Sequence, residues 1–179
     1  MDLVAPPPFL ASDYIVRFAS ERWEAAGAAE LRRQVFCTEQ GVFDHDDRDA
    51  TDAVATTIVA LSTLAGGPDE VIGTVRIHQS APGIWWGSRL AVAPAYRRVG
   101  IIGPALIRLA VSSAHAMGCV RFFAHVQSPN ELLFRRLHWA KIEQLALHGR
   151  EHLLMQADLA YYPPIADGTI GFHAARRAA

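Results

Sequence analysis

A chain of 179 residues has the size of one domain, long enough to bury most of its apolar surface in a single core. With 51% hydrophobic and 20% charged residues it has the composition of a soluble globular protein. A formal net charge of −1 gives no basic excess of the kind that nucleic acid or a membrane surface selects. Cys37 and Cys119 stand far apart and form neither a disulfide framework nor a zinc pattern. The start, MDLVAPPPFLASDY, has no basic region before an apolar stretch, and no apolar run reaches the roughly 18 residues of a membrane span. A cytoplasmic location is expected.

In chain order, residues 1–12, with Pro6 to Pro8, read as a loosely ordered segment, and 163–179 as a loosely ordered tail. The domain between them spans 13–162. YIVRFAS has β-rich character. ERWEAAGAAELRRQVFCTEQG predicts a helix, with Trp23, Leu31, Val35 and Phe36 at helical spacing and Gly41 as its stop. TTIVALST, VIGTVRIHQ and IWWGSRLAV follow as strands, and their short Gly/Pro connections predict an antiparallel meander. Trp85 and Trp86 fall on opposite faces of the third, one in the core and the other on a cleft wall. PALIRLAVSSAHAMG carries a helical stripe ended by Gly118, with Pro104 expected at the first helical position. CVRFFAHV reads as a strand and SPNELLFRRLHW as a short helix capped by Ser128 or Asn130. In AKIEQLALHGREHLLMQADLA, helix and hairpin fit the pattern equally. The order gives a mixed α/β domain whose long helix crosses between two parallel strands.

AYRRVGIIGPALI, residues 95–107, carries the chemistry. A strand running into a helix exposes backbone N–H groups at the positive end of the helix dipole, a place suited to phosphate. Gly100 and Gly103 permit close approach, while Arg97 and Arg98 add charge. A plain strand–helix turn with solvated arginines fits the spacing equally. There is no Gly-Lys-Ser/Thr ending for a P-loop, and no Gly-x-Gly-x-x-Gly for a dinucleotide.

LAVAPAYRRVGIIGPALI resembles the acyl-CoA-binding segment of the GNAT (Gcn5-related) N-acetyltransferase superfamily, in which an Arg/Gln-x-x-Gly-x-Gly/Ala loop wraps the CoA pyrophosphate. Arg97 and Gly100 match its first two fixed positions; the last falls on Ile102, with Gly103 one residue late. The resemblance extends over residues 14–160 in element order. It implies a mostly antiparallel central sheet flanked by helices, with a splayed parallel strand pair, and makes the ambiguous segment a terminal hairpin. LHGREHLLMQADL is further similar to a bacterial subgroup linked to nitrogen starvation.

By this resemblance acetyl-CoA or another acyl-CoA is the cosubstrate, bound by Leu90, Val92, Arg97, Arg98, Val99, Gly100, Ile102, Gly103, Gln127 and Phe134, with no metal. The Val92 N–H polarises the thioester carbonyl, as a fixed donor in a water-poor cleft should. Phe134 falls where family members often place a tyrosine that protonates the departing thiolate, and Gln127 where they place an asparagine. His138, His125 or Ser128 are the substitute donors, each with a structural role as the alternative. Loss of the acid slows transfer without forbidding it, because a thiol with a pKa of about 8.5 already leaves tolerably at neutral pH.

TEQGVFDHDDRDATD gathers Glu39, Asp44, His45, Asp46, Asp47, Asp49 and Asp52. In the resembled fold it borders the acceptor pocket, where a carboxylate holds a cationic amine and Glu39 or His45 removes its proton. The alternative is a solvated acidic loop. His78 is a second base, and Arg76 either meets an acceptor carboxylate or pairs with an acidic neighbour.

HGREH matches a zinc-protease pattern, but Gly149 and the hairpin oppose a shared helical face. Arg135-Arg136 and Arg176-Arg177 read as solvated, and Cys37 and Cys119 as structural rather than nucleophilic. The expected function is acyl transfer from CoA to a primary amine of a small molecule, with a homodimer allowed. The rivals are a non-catalytic acyl-CoA sensor, favoured by Phe134, and a transferase that takes its acyl group from an acyl carrier protein docked on Arg97, Arg98 and Arg135.

Overall fold

Strand β1 (Asp13–Phe18) buries Tyr14 and Val16 fully on one side and packs Ile15 on the other, the alternation of a strand covered on both faces. This computed structural model describes residues 10–175. The expectations on Pro6 to Pro8 and on Arg176-Arg177 lie outside the described residues. After β1 come α1 (Arg22–Arg32), β2 (Thr56–Leu64), β3 (Gly67–Ala81), β4 (Ile84–Val92), α2 (Ile102–Ala116), β5 (Arg121–Gln127), α3 (Glu131–Arg136), β6 (Trp139–Leu147), β7 (Arg150–Ala157) and β8 (Phe172–Ala175).

The eight strands form one sheet in the order β6-β7-β5-β4-β3-β2-β1-β8. Every pairing is antiparallel except β4 with β5, which α2 joins by a crossover. This is the mixed, mostly antiparallel GNAT-like sheet with one parallel pair. AKIEQLALHGREHLLMQADLA is the β6–β7 hairpin, turned at His148 and Gly149, whose φ angles of +51° and +71° suit a tight two-residue turn.

Helix α2 packs its apolar stripe, with Leu106, Leu109 and Ala110, on the side of the sheet that carries Tyr14, Ile58 and Phe122. Gly73 sets how closely it lies: a Cβ there would meet Ile102 at 2.8 Å and Leu106 at 2.9 Å. Helix α1 and the helical turn that continues it cover the other side, placing Leu31, Val35 and Phe36 against Ala91. Its first turn is held by Glu24, which is fully buried, pairs with Arg17 and accepts the Ser20 N–H at 2.8 Å.

Three local readings change. The helix expected over residues 21–41 is α-helical only to Arg32, then widens into a π-helical turn over Arg33–Glu39, and Trp23 is 41% exposed rather than on the apolar face. Helix α2 begins at Ile102, so Pro104 is its third residue. Residues 172–175 are β8 on the edge of β1, and the Phe18 N–H bonds Gly168 O at 2.7 Å. Gly171, at φ +59°, explains the close approach: a Cβ there would lie 1.9 Å from Val16 O.

Candidate active site

The parallel pairing of β4 with β5 runs only from Ile84↔Arg121 to Gly87↔Ala124. Beyond Gly87 the strands part, and the cause lies in β4. The register between β3 and β4 slips between Thr74 and Arg76, and opposite the slip Arg89 adopts φ +56°, a bulge conformation normally left to glycine. It is held there from outside: the Arg89 Nε donates to Asp47 Oδ2 at 3.0 Å, Nη2 to Asp47 O at 2.9 Å, and the guanidinium stacks 4.5 Å from the Phe43 ring centroid.

Asp47, 2% exposed, also accepts Arg32 Nε at 2.7 Å. Asp52 accepts Arg32 Nη1 at 2.7 Å and pairs with Arg76 at 2.8 Å, while Asp49 grips Arg76 through two 2.8 Å bonds. Ser88 Oγ accepts Arg76 Nε at 2.8 Å. Three arginines and three aspartates thus neutralise one another along the wall of the splay. The Arg76 bonds, and after them the Arg89 charge, hold the Asp49 carboxyl below the usual carboxylate range against its burial. For Asp52 burial opposes the shift, but the bonds from Arg32, Asp49 N–H and Arg76 win. Three aspartates of the acidic loop are therefore ion-paired; they cement the bulge, and Arg76 pairs with its acidic neighbours.

A cavity of about 430 Å³ threads the splay and meets both faces of the sheet. On the α2 side it touches Val111, Phe122, Phe134 and Trp139; on the α1 side Phe43, Trp86, His125 and His148. Trp85 is buried in the core, so the two tryptophans divide as the alternation requires. Leu90, Gln127 and His78 line the cavity too.

Past the end of β4, residues 94–99 form a 3-10 turn and Gly100, at φ +78°, leads into α2; no residue from Val92 to Gly103 lines the cavity. A Cβ on Gly100 or Gly103 would meet nothing within 4 Å, so the main chain there is open to a large ligand. The first N–H groups of α2 have no partner within the helix. Ala93 N–H bonds Ile72 O at 2.8 Å, which makes 93/72 the hydrogen-bonded pair and directs the Val92 N–H and C=O away from β3, toward the splay. Arg97 Nε donates to that Val92 carbonyl at 3.0 Å. Arg98 is exposed, and Val99 packs on the core.

Other candidates separate. Glu39 is bound bidentately by Arg97 at 2.5 and 2.7 Å, which holds its carboxyl below the usual range and makes it a poor base. His138 stacks on Tyr161 at 3.5 Å and lies outside the residues lining the cavity. Ser128 donates to Glu151. His78 stands opposite Trp86 across β3 and β4, with Nδ1 buried and unpartnered; burial, then the Arg76 charge, hold it below the usual histidine range despite Asp49. Phe134 meets Trp139 edge-on at 5.1 Å, so a phenyl ring occupies the expected acid position. Gln127 donates to Gln40 at 2.9 Å, joining β5 to the end of the π-helical turn. Burial pushes the Cys119 thiol up to about 11, and Cys37 is raised as well. No group of three His, Cys, Asp or Glu is placed to hold a metal among the described residues, and none of their helices is long and apolar enough to cross a membrane.

The family model of the acetyltransferase (GNAT) family matches residues 16–138, well over half of the chain. The chain belongs to the GNAT acetyltransferase family. The fold of this GNAT domain recurs in solved structures. A Lactobacillus plantarum protein assigned as an N-acetyltransferase superposes with a TM-score of 0.71 at 21% identity, over 80% of this chain and 97% of that one. ElaA of Escherichia coli gives 0.68 at 18%, over 81% and 98%. An acyl-CoA N-acyltransferase of Pseudomonas aeruginosa gives 0.65 at 18%, over 81% and 99%. At these identities the likeness speaks for the fold. A search of the curated proteins gives no match.

Sequence reasoning missed Arg89, Phe43 and His152 as cavity residues, and took His148 only for part of a metal pattern. The αL position at residue 89 carries no glycine to signal it, and His148 and His152 reach the cavity only once the hairpin has paired with β5.

Proposed function

We propose that this GNAT domain moves an acetyl or short acyl group from CoA to a primary amine of a small molecule by direct attack, in the cytoplasm. The observation that carries the reading is the splay of β4 from β5, with a cavity through it and open main chain in the loop between β4 and α2.

The pyrophosphate sits on the main chain of Gly100 to Gly103 at the N-terminus of α2, with Arg97 and Arg98 beside it. The pantetheine arm runs along Leu90 to Val92, whose outward N–H meets the thioester oxygen as it gains charge. The amine enters from the α1 side, and His78, neutral at pH 7, takes its proton. Geometry favours His78 over Glu39, which Arg97 occupies. Phe134 supplies no proton, so CoA leaves as the thiolate and is protonated by solvent.

The test is thiol release from acetyl-CoA across a panel of primary amines, with product mass recorded. Acceptor-dependent thiol release matched by acetylated product supports the reading. Acetyl-CoA binding without turnover on any amine would leave only a binding module.

A further inference from the structure

The acceptor side of the cavity is built of flat rings. Trp86 lies 5.1 Å from His125 and Phe43 lies 4.8 Å from His148 between ring centroids. Among the described residues that line the cavity there is no carboxylate: Arg76 and Arg89 reach it, while the aspartates that hold them do not. Glu39, the acid at the end of the π-helical turn, is spent on Arg97.

We propose that the acceptor is a flat aromatic amine whose nitrogen is uncharged at neutral pH, an arylamine or heteroarylamine, and not an alkylammonium. The proposal rests on the acyl-CoA reading above and names the substrate class of the same site.

An ammonium taken out of water needs a carboxylate beside it and is repelled by like charge. No carboxylate is offered, Arg76 and Arg89 are the charges that line the cavity, and the Arg89 guanidinium already covers the face of Phe43. An alkylamine as basic as lysine is neutral in fewer than about one molecule in a thousand at pH 7, so nearly all of it would bring a cation toward Arg76 and Arg89. An arylamine shares its lone pair with the ring and arrives uncharged. Its flat body fits a wall of stacked rings, where offset or edge contacts add to simple burial. The chemistry then needs one proton acceptor. The nitrogen attacks the thioester carbon, the C–N bond forms, and the carbonyl electrons move onto oxygen at the Val92 N–H. The C–S bond breaks as the intermediate collapses. The N–H proton passes to His78 and then to solvent, and the thiolate takes a proton in turn, so the products are an amide and CoA thiol.

The isomers 4-methylaniline and benzylamine share every atom count and differ in whether the nitrogen is on the ring. The experiment measures kcat/KM for both with saturating acetyl-CoA at pH 7, beside calorimetric binding of acetyl-CoA and tryptophan-fluorescence titration with each amine. The expected result is a preference for 4-methylaniline of at least about tenfold in turnover or, if neither turns over, in affinity. Trp86→Ala should weaken 4-methylaniline by a similar factor while acetyl-CoA binds as before. Equal or better use of benzylamine, binding of neither amine, or an unchanged 4-methylaniline response in Trp86→Ala overturns the proposal. Any of these with acetyl-CoA still bound leaves the acyl-CoA reading standing, whereas loss of acetyl-CoA binding itself removes that reading.

Discussion

Arg97 and Glu39 close a bidentate ion pair, Nη1 to Oε1 at 2.5 Å and Nη2 to Oε2 at 2.7 Å, that ties the loop before α2 to the end of the π-helical turn. In the proposed acyl-CoA complex the pyrophosphate uses the same guanidinium, so carboxylate and ligand compete for it. Glu39→Gln should tighten acetyl-CoA about two- to fivefold, the range expected for a half-exposed pair. Arg97→Ala should weaken it. Calorimetric titration measures both, and looser binding by Glu39→Gln would show that the pair positions Arg97 instead of withholding it.

Asp47 holds Arg32 and Arg89 together and so keeps β4 bulged. Asp47→Asn leaves two buried arginines short of charge, a change that costs about 3–5 kcal/mol when one partner of a buried pair is removed. For a domain of this size that corresponds to a fall in Tm of roughly 6–20 °C. Thermal denaturation is the check, and a fall under about 2 °C would mean that the bulge stands without the network.

As the proposed base His78 acts in the neutral form, and burial with Arg76, opposed by Asp49, lowers its pKa. A lowered pKa keeps the imidazole unprotonated further into acid. The acid limb of kcat/KM should therefore fall below pH of about 6.5, the ordinary histidine value. His78→Gln should remove that limb and lower kcat by about 100-fold or more, the contribution typical of a general base. A pH profile of both proteins decides this; an unmoved limb in His78→Gln assigns it to another group.

Phe134 borders the cavity beside Trp139. On the proposed reading, Phe134→Tyr places a hydroxyl where the thiolate departs. Because the thiolate is a fair leaving group, kcat should rise by no more than about tenfold, well short of the full range for general acids. Burying the hydroxyl without a partner costs about 1–3 kcal/mol, so Tm should drop. Steady-state rates with a melting curve report both, and an unchanged kcat would place the leaving sulfur away from residue 134.

The sequence was most informative where local pattern and punctuation agree. IWWGSRLAV lies between Gly83 and Pro94, and β4 has those bounds. The loop at 94–101 and the stripe of α2 were equally plain. What sequence hides is tertiary. Asp47, Asp49 and Asp52 read as a charge run because their partners Arg32, Arg76 and Arg89 come from α1, β3 and β4. The bulge at Arg89 depends on a carboxylate 42 positions away, so no propensity could signal it. Strand β8 has four residues and pairs with the start of the chain, too short a run for alternation to show.

On the proposed reading, main chain at the head of α2 holds the pyrophosphate of an acyl-CoA. Gly103 is the second residue of α2, and a side chain there meets nothing within 4 Å. An aspartate at a helix N-terminus favours the helix by about 0.3–1 kcal/mol, so Gly103→Asp should fold at least as well as the parent. It also sets a negative charge where the pyrophosphate belongs. Calorimetric titration with acetyl-CoA should give saturable binding to the parent and a loss of at least about tenfold in the variant at unchanged Tm. Equal binding by both proteins, or no binding of acetyl-CoA or CoA to the parent, would contradict the account.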